Sequence, residues 1–406
     1  MKKSLLAVAA LGAFASAAQA QSSVTVYGIL DVGYVGSNTR HANGTTATVG
    51  NAPANSVYQS TGNAFSSSAQ QTSRLGFKGT EDLGGGTSAF FTLETTVTPN
   101  GTTAFGGTRQ AFVGLNKSGL GAVSMGTQYT PVHIAVGATD PGQQNQMTGN
   151  VIYAAYTGPA AEPDSNANGN TAAYTTRTAN MLKFASDTFA GFKGTVVVVA
   201  NNQNNTQTTV AAGNTTTVTG GLNNQNGWGL GVDYTWQKLL VTANYQAFTS
   251  KNPYTITKTG VPSAPSLWSV ATGGSNIQDN QAYVAATYDF GILKAYAQWS
   301  NRKASDQQNS GYYVKRSAQQ IGVRSFITPT IEAWASMGNG NYQSYGSTQP
   351  TAHITGYQLG SNYWLSKRTN LYAIFGATGT SNVSVGTGNA SSANTNAYAL
   401  GVRHTF

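Results

Sequence analysis

Two alternating segments joined by a tight turn show how this chain is built: residues 227–249 read GWGLGVDYTWQKLLVTANYQAFT. Leu230, Val232 and Tyr234 recur at every second position, with small or polar residues between them. A period of two is typical of a β-strand with one apolar and one polar face. The turn at Gln237 separates two such runs, so the stretch predicts a β-hairpin.

The same order of strand, short turn, strand and long polar loop continues along the chain. We predict sixteen strands, at residues 24–34, 72–82, 88–97, 109–115, 121–129, 177–186, 191–200, 227–236, 238–249, 281–288, 292–301, 315–326, 330–339, 353–365, 370–379 and 395–406. Short turns then lie at one end of the sheet and long loops at the other. This layout is that of outer-membrane barrels. The predicted fold class is all-β, a 16-stranded antiparallel transmembrane β-barrel.

The composition argues against other classes of protein. The chain has 406 residues, no cysteine and only 9% charged residues, with 48 glycines and 21 tyrosines. Soluble proteins usually carry far more charge, and no later apolar run is long enough for a transmembrane helix. The formal net charge is +9, or +7 without Lys2 and Lys3. No longer Lys/Arg run follows, and the chain is predicted to be exported, so we expect no nucleic-acid partner.

The first twenty residues have the features of a secretory signal peptide. Lys2 and Lys3 precede an apolar core at residues 5–14, and Ala18-Gln19-Ala20 is a small-x-small cleavage site. We predict cleavage after Ala20, which gives two regions: a signal peptide (1–20) and a barrel (21–406).

In most of the predicted strands, the charged residues lie on the polar face. Lys183 alternates against Leu182 and Phe184, for example. An Arg or Lys that faces lipid at the membrane midplane costs about 2–4 kcal/mol. A soluble sandwich also alternates; the asymmetry of the loops and the aromatic residues near strand ends favour the barrel. The residues expected to line the interior or its mouths are Asp31, Arg74, Lys78, Glu94, Lys183, Asp233, Lys294, Arg324 and Arg403.

The third long connection, residues 131–176, is too long for an ordinary loop in a compact fold. It carries three charges, all acidic: Asp140, Glu162 and Asp164. A barrel of sixteen strands is too wide for side chains to fill and leaves an aqueous channel. We expect this loop to fold inward and narrow that channel.

Four motifs resemble the general porins of β-proteobacteria of the Neisseria, Bordetella, Comamonas and Burkholderia type. They are SVTVYGILD at 23–31, SRLGFKGTEDLG at 73–84, RQAFVGL at 109–115 and GVRHTF at 401–406. The resemblance implies a homotrimeric diffusion porin whose third loop forms a constriction opposite a cluster of arginines. Arg74 matches one of these arginines. A basic residue of the family is replaced by Thr127, and Glu162 and Asp164 lie in a loose match to the loop's acidic turn.

The predicted constriction and lumen residues are Arg74, Lys78, Glu94, Asp140, Glu162, Asp164 and Arg324. The last strand, with Tyr398, Leu400, Val402 and Phe406 in alternation, resembles the signal that the barrel-assembly machinery reads. We also expect contacts with outer-membrane lipid and lipopolysaccharide. The four histidines have no metal-ligand spacing, so we expect no metal and no cofactor.

The function expected is a passive outer-membrane channel for small hydrophilic solutes and inorganic ions, with a preference for anions. The alternative is an adhesin or structural barrel with a closed lumen. A membrane lipase is a third possibility, but His353 has no accompanying nucleophile motif. We therefore predict that the chain is not an enzyme.

Overall fold

The computed structural model describes residues 23–43, 56–153, 173–212, 215–252, 275–307, 313–345, 351–384 and 390–406. The predicted signal peptide, Glu162 and Asp164 lie outside the described residues.

The described residues form seventeen strands and one helix. In chain order they are β1 (Ser23–Asn43), β2 (Ser56–Ser67), β3 (Arg74–Gly84), β4 (Thr87–Val97), β5 (Phe105–Lys117), β6 (Gly121–Tyr129), α1 (Pro131–Thr139), β7 (Arg177–Ser186), β8 (Phe192–Ala212), β9 (Thr215–Trp236), β10 (Leu239–Asn252), β11 (Ser275–Asp289), β12 (Lys294–Asp306), β13 (Tyr313–Phe326), β14 (Ile331–Tyr345), β15 (Ala352–Trp364), β16 (Thr369–Ser384) and β17 (Ala390–Thr405). No helix in the described part of the chain is long and apolar enough to cross a membrane.

The strands form one closed antiparallel sheet. Apart from β2 and β3, which both pair with β1, each strand pairs with its neighbours in the chain, and β1 also pairs with β17, for example Val32 with Val402. Residues 32–43 of β1 pair with β2, and residues 23–29 of β1 pair with β3. The strands β2 and β3 therefore share one strand position in the wall. The barrel therefore has sixteen strand positions, which confirms the predicted fold class.

Several strands extend beyond the predicted bounds. The long loop expected between the predicted strands 24–34 and 72–82 includes β2. In the long loop expected between strands 191–200 and 227–236, residues 201–212 and 215–226 continue the β8–β9 hairpin. Those two loop predictions were therefore wrong. The Asn- and Thr-rich sequence shows no apolar alternation there, but backbone pairing between strands does not depend on side-chain polarity.

Asp31 binds the short segment of chain that connects β2 and β3. Its carboxylate accepts hydrogen bonds from the backbone N–H groups of Gln70 (2.8 Å) and Gln71 (2.6 Å) and from the hydroxyl of Tyr372 (2.6 Å). Its own N–H donates to Oγ of Ser73 (2.9 Å). Asp31 is fully buried, and these bonds satisfy the buried carboxylate while they fix the inward bend of the chain.

The burial pattern is the reverse of that in a soluble protein. On β13, Gln320 and Arg324 are 2% and 8% exposed, whereas Ile321 and Val323 are 60% and 43% exposed. The apolar side chains thus lie on the outer face and the polar ones on the inner face. This distribution is expected for a barrel whose outer surface is in lipid.

Candidate constriction site

The connection between β6 and β7 begins with α1. Pro131 occupies the first turn, where its missing N–H costs nothing. Oγ1 of Thr130 accepts from the N–H of His133 (3.4 Å), and the helix ends before Asp140. The sequence did not predict this helix, because its run of small and apolar residues has no polar face.

Four buried glutamines of the inner wall hold this connection. Each side-chain amide forms hydrogen bonds with the backbone of the connection. Three accept from a backbone N–H: Gln246 on β10 from Val132, Gln281 on β11 from Thr175, and Gln320 on β13 from Val151. The fourth, Gln358 on β15, donates to the carbonyl groups of Met147 and Thr148. The described residues of the connection therefore pack against the inward-facing side chains of four strands. We call residues 130–153 the docked segment.

Two glycines let the docked segment lie directly on the wall. A Cβ at Gly356 would lie 2.5 Å from the carbonyl oxygen of Gly149, and one at Gly376 would overlap that of Thr148. Gly149 itself has φ of +100°, a conformation that favours glycine. The backbone of the segment thus meets the sheet without intervening side chains.

On its other side, the docked segment faces β3, β5 and β6 across a cavity of about 190 Å³. The wall contributes Arg74, Arg109 and Tyr129, and the segment just before β3 contributes Gln71 and Thr72. The lining residues of the docked segment are His133, Ile134, Gly137, Gln143, Gln144, Gln146 and Tyr153. One side of the cavity is therefore cationic, and the facing side is made of amides, rings and apolar groups.

Glu94 partly neutralises the cationic wall. Its Oε1 accepts from Nε of Arg109 (2.8 Å) and from the hydroxyl of Tyr129 (3.2 Å), and its Oε2 accepts from Tyr27 (3.0 Å). Arg109 Nη2 also donates to Tyr129 (2.7 Å). One carboxylate is thus shared between two arginines, since Arg74 lies beside Arg109, and the wall keeps a positive charge.

His133 lies inside a group of tyrosine rings. Its ring centroid is 4.5 Å from that of Tyr129, 5.9 Å from that of Tyr174 and 6.3 Å from that of Tyr153. Its Nδ1 is 3.2 Å from the amide nitrogen of Gln144. Burial, followed by the charges of nearby arginines including Arg109, holds the pKa of His133 well below its usual range. The imidazole is therefore neutral at neutral pH.

The family model for Gram-negative porins matches residues 7–383 of the chain. This chain belongs to the Gram-negative porin family. The porin is 29% identical over 405 residues to an outer membrane porin protein of Bordetella pertussis, and the match covers 92% of this chain and 93% of that protein. It is 34% identical over 153 residues to the major outer membrane protein P.IB of Neisseria gonorrhoeae, across 37% and 39% of the two chains.

Solved structures agree with the fold. The anion-selective porin from Comamonas acidovorans superposes with a TM-score of 0.63 at 21% identity, over 95% of this porin and all of that chain. OmpF of Salmonella typhi superposes with a TM-score of 0.57 at 15% identity, over 94% and 97%. The predicted family, the outer-membrane location and the role of a general diffusion porin are confirmed.

Two predicted lumen residues of this porin instead hold the docked segment. The carboxylate of Asp140 accepts from the backbone N–H of Gln144 (2.6 Å) and from Asn150 (3.0 Å), and Asp140 is 2% exposed. Burial raises its pKa. The reason is local: an acid directly after a helix satisfies the polar groups of its own turn.

The second such residue is Arg324. It forms a bidentate ion pair with Glu332, at 2.5 and 2.7 Å, and donates to the carbonyl of Pro141 (2.7 Å). Lys78 is exposed, with Nζ 5.4 Å from the ring centroid of Tyr27, and is not among the residues that line the cavity. Arg74 and Glu94 lie at the cavity wall as described above.

Sequence reasoning missed Arg109 and Arg177. Glu94 pairs with Gln110 and Thr95 with Thr108, so Arg109 is the extra residue of a β-bulge. A bulge changes which face a side chain occupies, so strict alternation does not show which way Arg109 points. Arg177 opens β7 opposite Tyr129 and is buried. These two arginines lie on β5 and β7, the strands that pair with β6 on either side.

In the described part of the chain, no three His, Cys, Asp or Glu side chains are grouped so that they could hold a metal ion.

Proposed function

We propose that the docked segment narrows the lumen of this porin and that the cavity beside it is the narrowest part of an anion-preferring diffusion path. The observation that carries the proposal is the asymmetry of that cavity. Arg74 and Arg109 lie on the wall, Glu94 balances one of these two charges, and Asp140 is turned away into the segment's own hydrogen bonds. The local field thus attracts anions.

The mechanism is steric and electrostatic, and it requires no catalytic step. The docked segment limits the size of a solute, and the fixed arginines set a potential that lowers the barrier for anions relative to cations. Amide groups of Gln143, Gln144 and Gln146 offer dipoles that can donate to a passing anion or accept from a passing hydroxyl group.

We further propose that the protein is a homotrimer and that its last strand carries the assembly signal. The alternating residues of that strand support this second part: Tyr398, Leu400, Val402 and Phe406 are all at least 38% exposed on the outer face. Phe406 also closes the barrel, because its N–H and carbonyl group pair with those of Gly28 (3.1 and 3.0 Å).

Reconstitution in a planar bilayer tests the selectivity. The purified protein should give stepwise increases in conductance, and in a KCl gradient its reversal potential should have the sign of anion preference. A potential of the opposite sign would contradict the proposed role of the arginines, whereas a protein without conductance steps would have a closed lumen.

A further inference from the structure

Two phenyl rings face the lumen on the wall below the cavity. Glu94 lies on the inner face of β4, and Phe90 lies four residues earlier on the same strand, so it shares that face. Phe112 on β5 pairs with Thr92 and therefore also points inward. Phe90 lies about 13 Å from Glu94 along β4, toward the short turns at the periplasmic end. The inner face of such a barrel is otherwise polar, so a pair of apolar rings there calls for an explanation.

The two rings form an open corner. Their centroids are 6.3 Å apart, and their planes meet at 79°. A Cβ at Gly114 would lie 2.5 Å from Cζ of Phe90, so the end of this ring covers the backbone of the glycine on the neighbouring strand. Phe90 and Phe112 are both half-buried, and part of each ring is therefore accessible from the lumen.

An ammonium group lies next to this corner. Lys183 on β7 pairs with Ser124, which pairs with Gly114, so Lys183 lies in the same row of the inner wall as Phe90. Its Nζ is 5.7 Å from the ring centroid of Phe112. None of the ion pairs in the described part of the chain includes this lysine. A positive charge and two ring surfaces thus lie side by side on the wall.

The acidic residues of the nearby turns bind their own backbone. Oδ1 of Asp82 accepts from the N–H of Gly84 (2.9 Å), and Oδ2 of Asp187 accepts from the N–H of Gly119 (2.6 Å). Both carboxylates therefore stabilise turns at the periplasmic end instead of pairing with Lys183. The charge of Lys183 remains available to a solute in the lumen.

We propose that Phe90, Phe112 and Lys183 form a binding subsite for aromatic carboxylates on the periplasmic side of the constriction. The ring of the solute packs in the phenyl corner, where offset and edge-to-face contacts are favourable. Its carboxylate accepts a charge-assisted hydrogen bond from Nζ of Lys183. This proposal rests on the open lumen of the proposed function. A weak site of this kind favours entry of aromatic acids and still releases them, as conduction requires.

Saturation-transfer difference NMR on the detergent-solubilised protein detects weak binding and does not depend on conductance. Phenylacetate should bind. Its neutral isostere phenylacetamide should bind about fivefold more weakly, because it lacks the charge that Lys183 attracts. Acetate has no ring and should not displace phenylacetate at equal concentration. Equal binding of phenylacetamide, or displacement by acetate, would overturn the proposal.

Phe112→Leu and Lys183→Gln should each weaken phenylacetate binding about fivefold. Lys183→Gln should also remove the difference between phenylacetate and phenylacetamide, whereas Phe112→Leu should keep it. One control is Phe91→Leu, which removes the neighbouring ring from the outer face of β4. The other is Lys294→Gln, which removes a lysine 5.2 Å from the ring centroid of the buried Tyr296. An equal loss in these controls, or no loss in the two subsite variants, would show that no such site exists.

Heat resistance of the folded band on gels verifies that each variant folds. The reversal potential of the unmodified protein in a KCl gradient separates this subsite from the constriction. If phenylacetate binding depends on Phe112 and Lys183 while the channel prefers cations, the subsite stands and the anion-preferring constriction fails. Anion preference together with phenylacetate binding that neither substitution changes would overturn the subsite alone.

Discussion

Nε of Arg109 lies 2.8 Å from Oε1 of Glu94, and both side chains are buried. Arg109 reaches this position from a β-bulge, and Arg74 lies beside it on the same wall. A single carboxylate thus serves two guanidinium groups. The sign of the electric field in the cavity depends on this ratio of one carboxylate to two guanidinium groups, since the opposing face presents uncharged amides and rings.

Glu94→Gln should increase the anion preference of the channel. The substitution keeps the shape of the side chain and removes the carboxylate that Arg109 binds. One unit charge at about 4 Å in water is worth about 1 kcal/mol, so the anion-to-cation permeability ratio should rise about fivefold. Reversal potentials in a salt gradient measure this ratio.

The complementary variant Arg74→Gln should shift the same ratio toward cations. Lys78→Gln serves as the control, because Lys78 is not among the residues that line the cavity, and it should shift the ratio less than Arg74→Gln does. A shift toward cations in Glu94→Gln would show that the path of the ions lies elsewhere in the barrel.

Gln358→Ala should loosen the docked segment. The Gln358 side chain donates to Asn145 Oδ1 (3.1 Å) and to the carbonyls of Met147 and Thr148 (2.7 Å each), and it accepts from Asn145 (3.0 Å). Buried groups left without partners cost about 1–3 kcal/mol each. Amide hydrogen exchange in residues 143–149 should therefore become faster. Gln319→Ala is the control, because Gln319 faces outward and donates to Oδ1 of Asn339 on the neighbouring strand (2.9 Å), away from the docked segment.

Gly376→Val should displace the docked segment from the wall. A Cβ at this position overlaps the carbonyl oxygen of Thr148, which is backbone and cannot rotate away. Either the segment moves into the cavity or it leaves the wall, so the single-channel conductance should change while the barrel still folds. Gly379→Ala on the same strand meets only side-chain atoms, at 3.0 Å or more, and should leave the conductance as it is.

The barrel could be predicted from sequence because lipid and water impose opposite requirements on alternate residues. Strands such as β7 were predicted with the observed bounds, since the alternation there coincides with the membrane-facing part of the wall. Strand ends outside the membrane, as in β8 and β9, lack that contrast, and their length was underestimated.

The site was less predictable for a different reason. The motif around Arg74 predicted that this residue lies at the wall. Arg109 reaches the same wall because a β-bulge shifts the register by one residue, and alternation in the sequence does not show the bulge. Asp140 was predicted as a constriction residue, because the acidic loop that carries it was expected to fold inward. Whether a loop carboxylate faces the lumen or its own turn depends on three-dimensional contacts, here with Asn150 and Gln144, that have no periodic signal in sequence.

Acidification should weaken docking of α1 through His133. The pKa of His133 in the docked state lies below its ordinary value of 6.5, so docking favours the neutral ring. The contribution of the neutral His133 ring to the stability of docking is complete above pH 6.5 and is lost as the pH falls toward the lowered pKa. Asp140 acts in the opposite direction: its pKa is raised above 3.8, so its contribution is complete below 3.8 and is lost as the pH rises through the raised pKa.

The two residues can be separated with His133→Phe, which keeps an aromatic ring among the tyrosines and removes the imidazole. Between about pH 7.5 and about pH 5.5, hydrogen exchange of residues 131–139, corrected for its intrinsic pH dependence, should become faster in the unmodified protein. In His133→Phe only Asp140 remains, and protection should stay constant or increase on acidification. The same loss of protection in both proteins would mean that a group other than His133 responds to pH.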